Sequence, residues 1–517
     1  MTDFPFLTVL GLLPLAGASV VAALPSAKVL LAKQVALATS LVVLALTIVM
    51  CTKFTPMGER FQFVEAHSWI PSFGVQYAVG VDGIALVLLA LVAVLVPVVL
   101  LASWDEPEAH DPTPGRRYGS PKTFVALVLL LETMMIGVFA ATDVFLFYVF
   151  FEAMLIPMYF LIGQFGGPKR SYAAVKFLLY SLFGGLLMLA SVIGLYVVST
   201  HQGPGTFAFA KLTELDISEP VQIWLFLGFF IAFAIKAPLF PFHTWLPDAG
   251  AEAPVGGAVL LVGVLDKVGT FGFLRYCLPL FPDAARDLAP YVITLSVIGI
   301  LYGALLALGQ KDLKRLVSYT SVAHFGFIGL GCFAFTSQAG TGAVLYMVNH
   351  GLSTGALFLV IGFLINRGKS RLTTDYSGIG KVAPVLSGTF LLAGLSSLAL
   401  PGLSTFVSEF LVLVGTFTRY PVAAVFATIG IILAALYILM TYQQTMQGAL
   451  SSAHATMKDL NLREMLAIAP LLTLMVFLGV YPKPLTDVIT PAINATMHDV
   501  GAKDPAPTQA NLTTEGR

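Results

Sequence analysis

Apolar runs near the ~20 residues that a helix needs to cross a bilayer recur along the whole chain. They lie at 5–24, 30–51, 78–103, 123–141, 144–162, 171–199, 221–246, 254–280, 289–309, 315–335, 338–366, 383–417, 421–447 and 462–481. The pattern predicts about fourteen transmembrane helices and an all-α polytopic fold. Two intervening stretches, 52–77 and 104–121, are polar enough to be sizeable loops. From about residue 498 the chain is polar, with Pro, Thr and Gly, and is expected to be disordered. The first run resembles a signal peptide in its apolar length but has no cation before it, so it reads as a retained first helix.

Two of the runs are interrupted by proline. One is IAFAIKAPLFPFHTWLP at 231–247 and the other SSLALPGLSTFVSEF at 396–410. Proline lacks an N–H, so Pro238 and Pro241 are expected to free the carbonyls of Ala234 and Ala237, and Pro401 that of Ser397. Irregular backbone at membrane depth survives only against protein or a wet cavity. A pair of broken helices at corresponding places in two halves points to the working site of a transporter. Pro238 and Pro401 are about 160 residues apart, enough for a five-helix repeat.

Composition agrees with lipid as the solvent. Of the 517 residues 57% are hydrophobic and 11% charged, against about 25% charged in soluble chains. Lysine and arginine number 28 and so do aspartate and glutamate, so no basic field argues for nucleic acid. Cys51, Cys277 and Cys332 stand far apart, and no CxxC, HExxH, GxGxxG or GxxxxGK[ST] pattern occurs. The sequence therefore offers no ligand set for a cluster, zinc, haem, flavin or nucleotide, and no cofactor is expected in this chain. With the N-terminus outside, inner loops hold 17 cations, among them Arg116, Arg117, Lys169, Arg170, Lys314 and Arg371, and outer segments hold 9. The excess favours both termini on the outer face.

Chemistry is expected where charge falls inside an apolar run, since an ionised group at the bilayer centre costs at least ~2.5–3.5 kcal/mol. Glu152 sits in DVFLFYVFFEAMLIPMYFLIG and reads as counter-ion to a buried cation. Lys236 directly precedes the double proline. It is either a lysine snorkelling to an interface or a proton carrier held between burial and a nearby carboxylate. Lys267 is mid-span beside Asp266; neighbours on a helix point about 100° apart, so the two are not expected to face each other well. His324 and His350 fall on consecutive spans, either as packing residues or as relays. Ser318, Thr320, Ser321, Ser353 and Thr354 around them offer hydroxyls for a water file. Glu409 lies just past the second break, and Glu132, His243 and Asp266 are secondary candidates. Together Glu152, Lys236, Lys267, His324, His350 and Glu409 alternate acid, base and imidazole, as a proton wire requires.

The runs FFEAMLIPMYFLIG, KAPLFPFHTWLPDAGAEAPVGGAVLL, DKVGTFGFLRY, QKDLKRLVSYTSVAHFGFI, NHGLSTGALFL and LPGLSTFVSEFLVLVG resemble the antiporter-like proton-pumping subunits of complex I, the NADH-quinone oxidoreductase. The superfamily also includes subunits of multi-subunit sodium/proton antiporters, which is the alternative reading. The resemblance implies fourteen helices with two inverted five-helix repeats. That divides the chain into 1–122 (three helices and loops), 123–280 and 281–450 (the two repeats, each a half-channel), 451–497 (a last helix) and a 498–517 tail. It implies Glu152 and Lys236 as the input pair, Lys267 as the central lysine, His324 and His350 as the bridge, and Glu409 as the exit residue. Lysine is usual at the exit in relatives; glutamate marks one subunit of complex I. FMN, iron–sulfur clusters and quinone are implied in partner subunits, with antiporter-like neighbours L and N, in a bacterial plasma membrane or its mitochondrial equivalent.

Overall fold

The computed structural model describes residues 4–105 and 119–505. Arg116, Arg117 and the tail beyond 505 lie outside the described residues. The principal helices are α1 (Phe6–Ala23), α2 (Val29–Lys53), α3 (Gly83–Ala102), α4 (Pro121–Ala140), α5 (Val144–Phe165), α6 (Arg170–Gln202) and α7 (Glu219–Lys236). There follow the short α8 (Leu246–Glu252), then α9 (Val255–Leu280), α10 (Pro282–Leu308), α11 (Leu313–Phe333) and α12 (Ser337–Gly368). The chain ends with α13 (Pro384–Ser397), α14 (Ser404–Phe417), α15 (Pro421–Met446), α16 (Leu462–Val480) and α17 (Lys483–Asp499). Among the described residues 13 helices are long and apolar enough to cross a membrane. The expected span at 383–417 is instead two shorter helices, α13 and α14, meeting at the Pro401–Gly402 break.

Local chemistry starts the helices where the apolar runs begin. Asp82, Asp143 and Asp312 each accept from backbone N–H groups in the first turn of α3, α5 and α11, satisfying donors that have no intrahelical partner. Proline opens α10, α13 and α15 within the first two positions, where its missing N–H is not needed. Glu65 serves α1 from a distance, accepting from the N–H groups of Leu7 at 2.9 Å and Thr8 at 3.2 Å.

The helices sort by burial. The most apolar windows of α9, α11 and α12 are 100%, 94% and 94% buried, whereas those of α2, α15 and α16 are 28%, 33% and 33% buried. The outer helices present Leu179, Phe183, Val425 and Ile432 outward, a surface stable only against lipid. Lys267, His324 and His350 lie on the inner helices.

Three differences from the sequence reading stand out. The region 52–77, expected to be a loop, forms most of a hairpin that runs into the start of the span expected at 78–103: Gln62–Ile70 pairs antiparallel with Val75–Val81, and α3 begins at Gly83. The chain after α16 folds again as α17, which buries Ile489, Ala492, Ile493 and Met497 along one face. That face is too short and too polar overall for a spanning signal. A Cβ on Gly83 would meet the Val488 carbonyl oxygen at 1.9 Å, so glycine lets α17 lie across the start of α3. Residues 500–504, expected to be disordered, are tied down. Asp504 accepts from Ser337 N–H at 2.8 Å, and Arg419 donates to the Lys503 carbonyl at 2.6 Å.

At the first break the Ala234 carbonyl is not free: the Leu239 N–H bonds it at 2.9 Å, and the Trp245 indole donates to the Ile235 carbonyl at 2.8 Å. The chain thus re-satisfies the carbonyl that Pro238 releases, as membrane depth favours. At the second break Ala399 and Gly402 take left-handed backbone, φ 61° and 93°, and the Asn349 amide donates to the Ser404 carbonyl at 2.7 Å.

Candidate functional site: a buried line of acids, lysines and histidines

The two helical segments of α5 join at Met154, two residues past Glu152. The Glu152 carboxylate rests on α6 at Gly185, where a Cβ would meet Oε1 at 1.7 Å. The adjacent Gly184 brings α6 against Ala232 of α7. Lys236 is the last residue of α7, is 1% exposed, and lies over the Phe151 ring at 4.6 Å. Its Nζ and the Glu152 Oε1 are buried and have no hydrogen-bond partner among the described residues. No direct ion pair joins the two among the described residues.

The second group lies deeper. Along α9 the backbone widens to π-helix at Leu261–Leu265 and again at Phe273–Cys277, an irregularity that helices keep mostly at working sites. The Asp266 N–H reaches five residues back to the Leu261 carbonyl at 3.2 Å. This overturns the expectation that Asp266 and Lys267 face apart. With the preceding turn widened and underwound, the Lys267 chain folds back, and its Nζ meets Asp266 Oδ1 at 3.0 Å and also the Val262 carbonyl. Both side chains are fully buried. Nζ further stands 2.6 Å from His350 Nδ1 on α12.

From there the groups run on. His350 Nε2 is 3.0 Å from the Ser321 hydroxyl, and the His350 and His324 rings are 5.3 Å apart between centroids. His324 Nδ1 is 2.7 Å from the Tyr346 hydroxyl, and its Nε2 is 3.2 Å from Ser397 Oγ beside the second break. Tyr346 donates to Glu409 Oε2 at 2.8 Å, and Glu409 is 4% exposed. Asp266, Lys267, His350, His324, Tyr346 and Glu409 thus form one buried line across α9, α11, α12 and α14. The first cluster abuts it through backbone: a Cβ on Gly269 would meet the Phe233 carbonyl oxygen at 2.4 Å and the Ala237 nitrogen at 2.6 Å.

The secondary candidates separate. Glu132 on α4 is 0% exposed, and neither carboxylate oxygen has a hydrogen-bond partner among the described residues. His243 lies in the first break, stacked on Phe240 and edge-on to Tyr302 rather than on the line. Of the expected hydroxyls, only Ser321 bonds a histidine; Ser318 and Thr320 donate to carbonyls of their own helix. Among the described residues no group of three or more His, Cys, Asp or Glu is arranged to hold a metal ion.

Sequence reasoning passed over Tyr346 and Gly185, and named Ser397 only for its backbone carbonyl. Tyr346 had a signal, since it precedes His350 by one helical turn and so shares its face. It also passed over Asp248 of α8, which pairs with Lys176 of α6 at 2.7 Å and Arg315 of α11 at 2.6 Å.

A many-spanned helical protein with ionisable side chains threaded through its most buried helices is an antiporter-like membrane subunit in its architecture. The family model described as NADH:quinone oxidoreductase/Mrp antiporter, TM, matches residues 141–436. The chain is 50% identical to NADH-quinone oxidoreductase subunit M of Mycobacterium tuberculosis (strain ATCC 25618 / H37Rv) over 537 residues, 99% of this chain and 97% of that one. It is 39% identical to NADH-quinone oxidoreductase subunit M of Rhodobacter capsulatus over 506 residues, 94% and 95% of the two chains. A chain in the solved structure of respiratory complex I from Thermus thermophilus with bound NADH superposes with TM-score 0.86 at 31% identity, covering 96% of this chain and 100% of that one. A chain of the Mrp complex from Dietzia sp. DQ12-45-1b superposes with TM-score 0.83 at 22% identity over 97% and 100% of the chains, a likeness of fold alone. The chain belongs to the NADH:quinone oxidoreductase/Mrp antiporter family, on the branch of complex I subunit M.

Proposed function

We infer that this chain is the proton-translocating subunit M of NADH-quinone oxidoreductase, coupling electron transfer in other subunits to proton movement across the membrane. The observation that carries the reading is the contact of Lys267 Nζ with Asp266 and His350 in a region closed to solvent. A buried ammonium beside one carboxylate and one imidazole has a proton donor, an acceptor and a neutralising charge within hydrogen-bond reach. Since apolar residues of similar volume are often no less stable than such a buried ionic group, its presence supports a working role over a packing one.

In this reading protons enter through Glu152 and Lys236, pass to Lys267, cross on His350 and His324, and leave by Glu409. Residues 123–280 and 281–450 form two inverted five-helix half-channels, each with one broken helix. Counting α13 and α14 as one span makes fourteen. Redox centres (FMN, iron–sulfur clusters and quinone) belong to other subunits, and this chain neighbours the antiporter-like L and N. Both termini lie on the outer face of a bacterial plasma membrane, as the cation count supports. The test is Lys267→Ala in the assembled complex. NADH-driven proton uptake by inverted vesicles is expected to fall at least tenfold, and uptake at the parental rate would overturn the reading.

A further inference from the structure

We propose that the Tyr346 hydroxyl is a proton relay between His324 and Glu409, the only hydrogen-bonded link from the histidine pair to the exit carboxylate among the described residues. The proposal rests on the reading above, in which Glu409 is the exit. Tyr346 lies on α12, His324 on α11 and Glu409 on α14, so the phenol bridges three helices. Its oxygen is 2.7 Å from His324 Nδ1 and 2.8 Å from Glu409 Oε2, and the ring is fully buried. The His324 and Tyr346 rings meet edge-on with centroids 5.7 Å apart, which aims Nδ1 at the oxygen rather than at the ring face. No hydrogen bond joins His324 to Glu409 directly; the other ring nitrogen goes to Ser397. A proton on the imidazole therefore reaches the carboxylate through the phenol or through water.

The transfer balances without any other reactant. With His324 as imidazolium, the Nδ1–H bond breaks as its proton moves to the Tyr346 oxygen. At the same time the phenolic O–H bond breaks and that proton forms a new O–H bond on Glu409 Oε2. Imidazolium and carboxylate become neutral imidazole and carboxylic acid, and tyrosine ends with one proton as it began. Reset needs Glu409 to release its proton, the hydroxyl to rotate back toward the carboxylate, and His324 to take up the next proton at Nδ1. A residue that merely anchored Glu409 would need the donor bond to the carboxylate but not the contact with His324.

The test uses the full complex in inverted membrane vesicles, with three variants side by side. Tyr346→Phe keeps the ring and removes the oxygen. Its ratio of protons taken up to NADH oxidised is expected to fall at least fivefold, with assembly on native gels unchanged. Replacement of Tyr346 by 3,5-difluorotyrosine keeps a hydroxyl of similar size but makes it a stronger acid. A relay then retains pumping but shifts its pH profile, whereas an anchor leaves the profile where it was. Glu409→Ala reports on the underlying reading. If Tyr346→Phe pumps like the parent while Glu409→Ala does not, the relay is wrong and the exit assignment stands. If both pump like the parent, the exit assignment falls and the relay with it. Should Tyr346→Phe fail to assemble, the fluorinated protein decides: an unshifted profile overturns the relay.

Discussion

Replacing Gly185 by alanine tests the Glu152 role without touching an ionisable group. A Cβ built at Gly185 would stand 1.7 Å from Glu152 Oε1 and 2.5 Å from its Cδ. Ordinary contact begins at 3.4 Å, so the carboxylate must retreat by about 1.7 Å. The obstructing atoms are the tip of a flexible side chain, so the stability cost belongs at the low end of the ~1–3 kcal/mol of overpacking. The functional cost is expected to be larger, because a misplacement of about 1 Å at a reacting group is worth up to ~100-fold. Gly185→Ala is therefore expected to lower NADH-driven proton uptake at least tenfold while the complex still assembles. Gly194→Ala is the control on the same helix. Its Cβ would meet only Leu225 Cδ2 of α7, at 2.7 Å, so it overpacks a buried helix–helix contact and leaves Glu152 alone. Uptake in inverted vesicles, with assembly followed on native gels, separates the two. Parental uptake by an assembled Gly185→Ala complex, or equal losses in both variants, would refute the reasoning.

Other expectations follow from the same line of groups. Glu152→Gln keeps the shape but not the charge, and should abolish or sharply cut proton pumping and quinone-coupled NADH oxidation in an assembled complex; normal rates would remove Glu152 from the coupling path. Glu409→Lys should retain measurable pumping, because lysine can also titrate there. Glu409→Ala should lose most pumping while matching or exceeding the parent in thermal stability, since it deletes a costly buried acid; an Ala variant that pumps normally would make Glu409 a mere packing residue. For orientation, a reporter active only in the cytoplasm and fused to the C-terminus should be silent, and strong activity would overturn the outer placement of the termini.

The spanning helices could be read from the chain because lipid imposes a one-dimensional rule: about 20 apolar residues satisfy both the bilayer and their own backbone. The same rule made Glu152, Lys236, Lys267, His324, His350 and Glu409 conspicuous, since each interrupts a run. It also located both breaks, because proline cannot complete the helix. Elements outside lipid carry no such constraint. The hairpin at 62–81 and the amphipathic α17 are stabilised by the faces they cover, so the chain's apolar pattern gave neither a strand nor a separate helix there.

Which ionisable groups touch was decided only by the packing. Asp266 and Lys267 are adjacent in sequence, and an ideal helix would turn them apart; the π-helical turn before them closes the pair. Glu152 and Lys236 looked like partners by their charges, yet neither Glu152 Oε1 nor Lys236 Nζ has a hydrogen-bond partner among the described residues. Tyr346 carries no charge, and its one signal in the chain is its place one helical turn before His350; it matters because three helices place it between His324 and Glu409. Sequence periodicity reports which face of one helix is buried. It does not report what the next helix brings to that face, because crossing angles and rotations are set by side chains far apart in the chain.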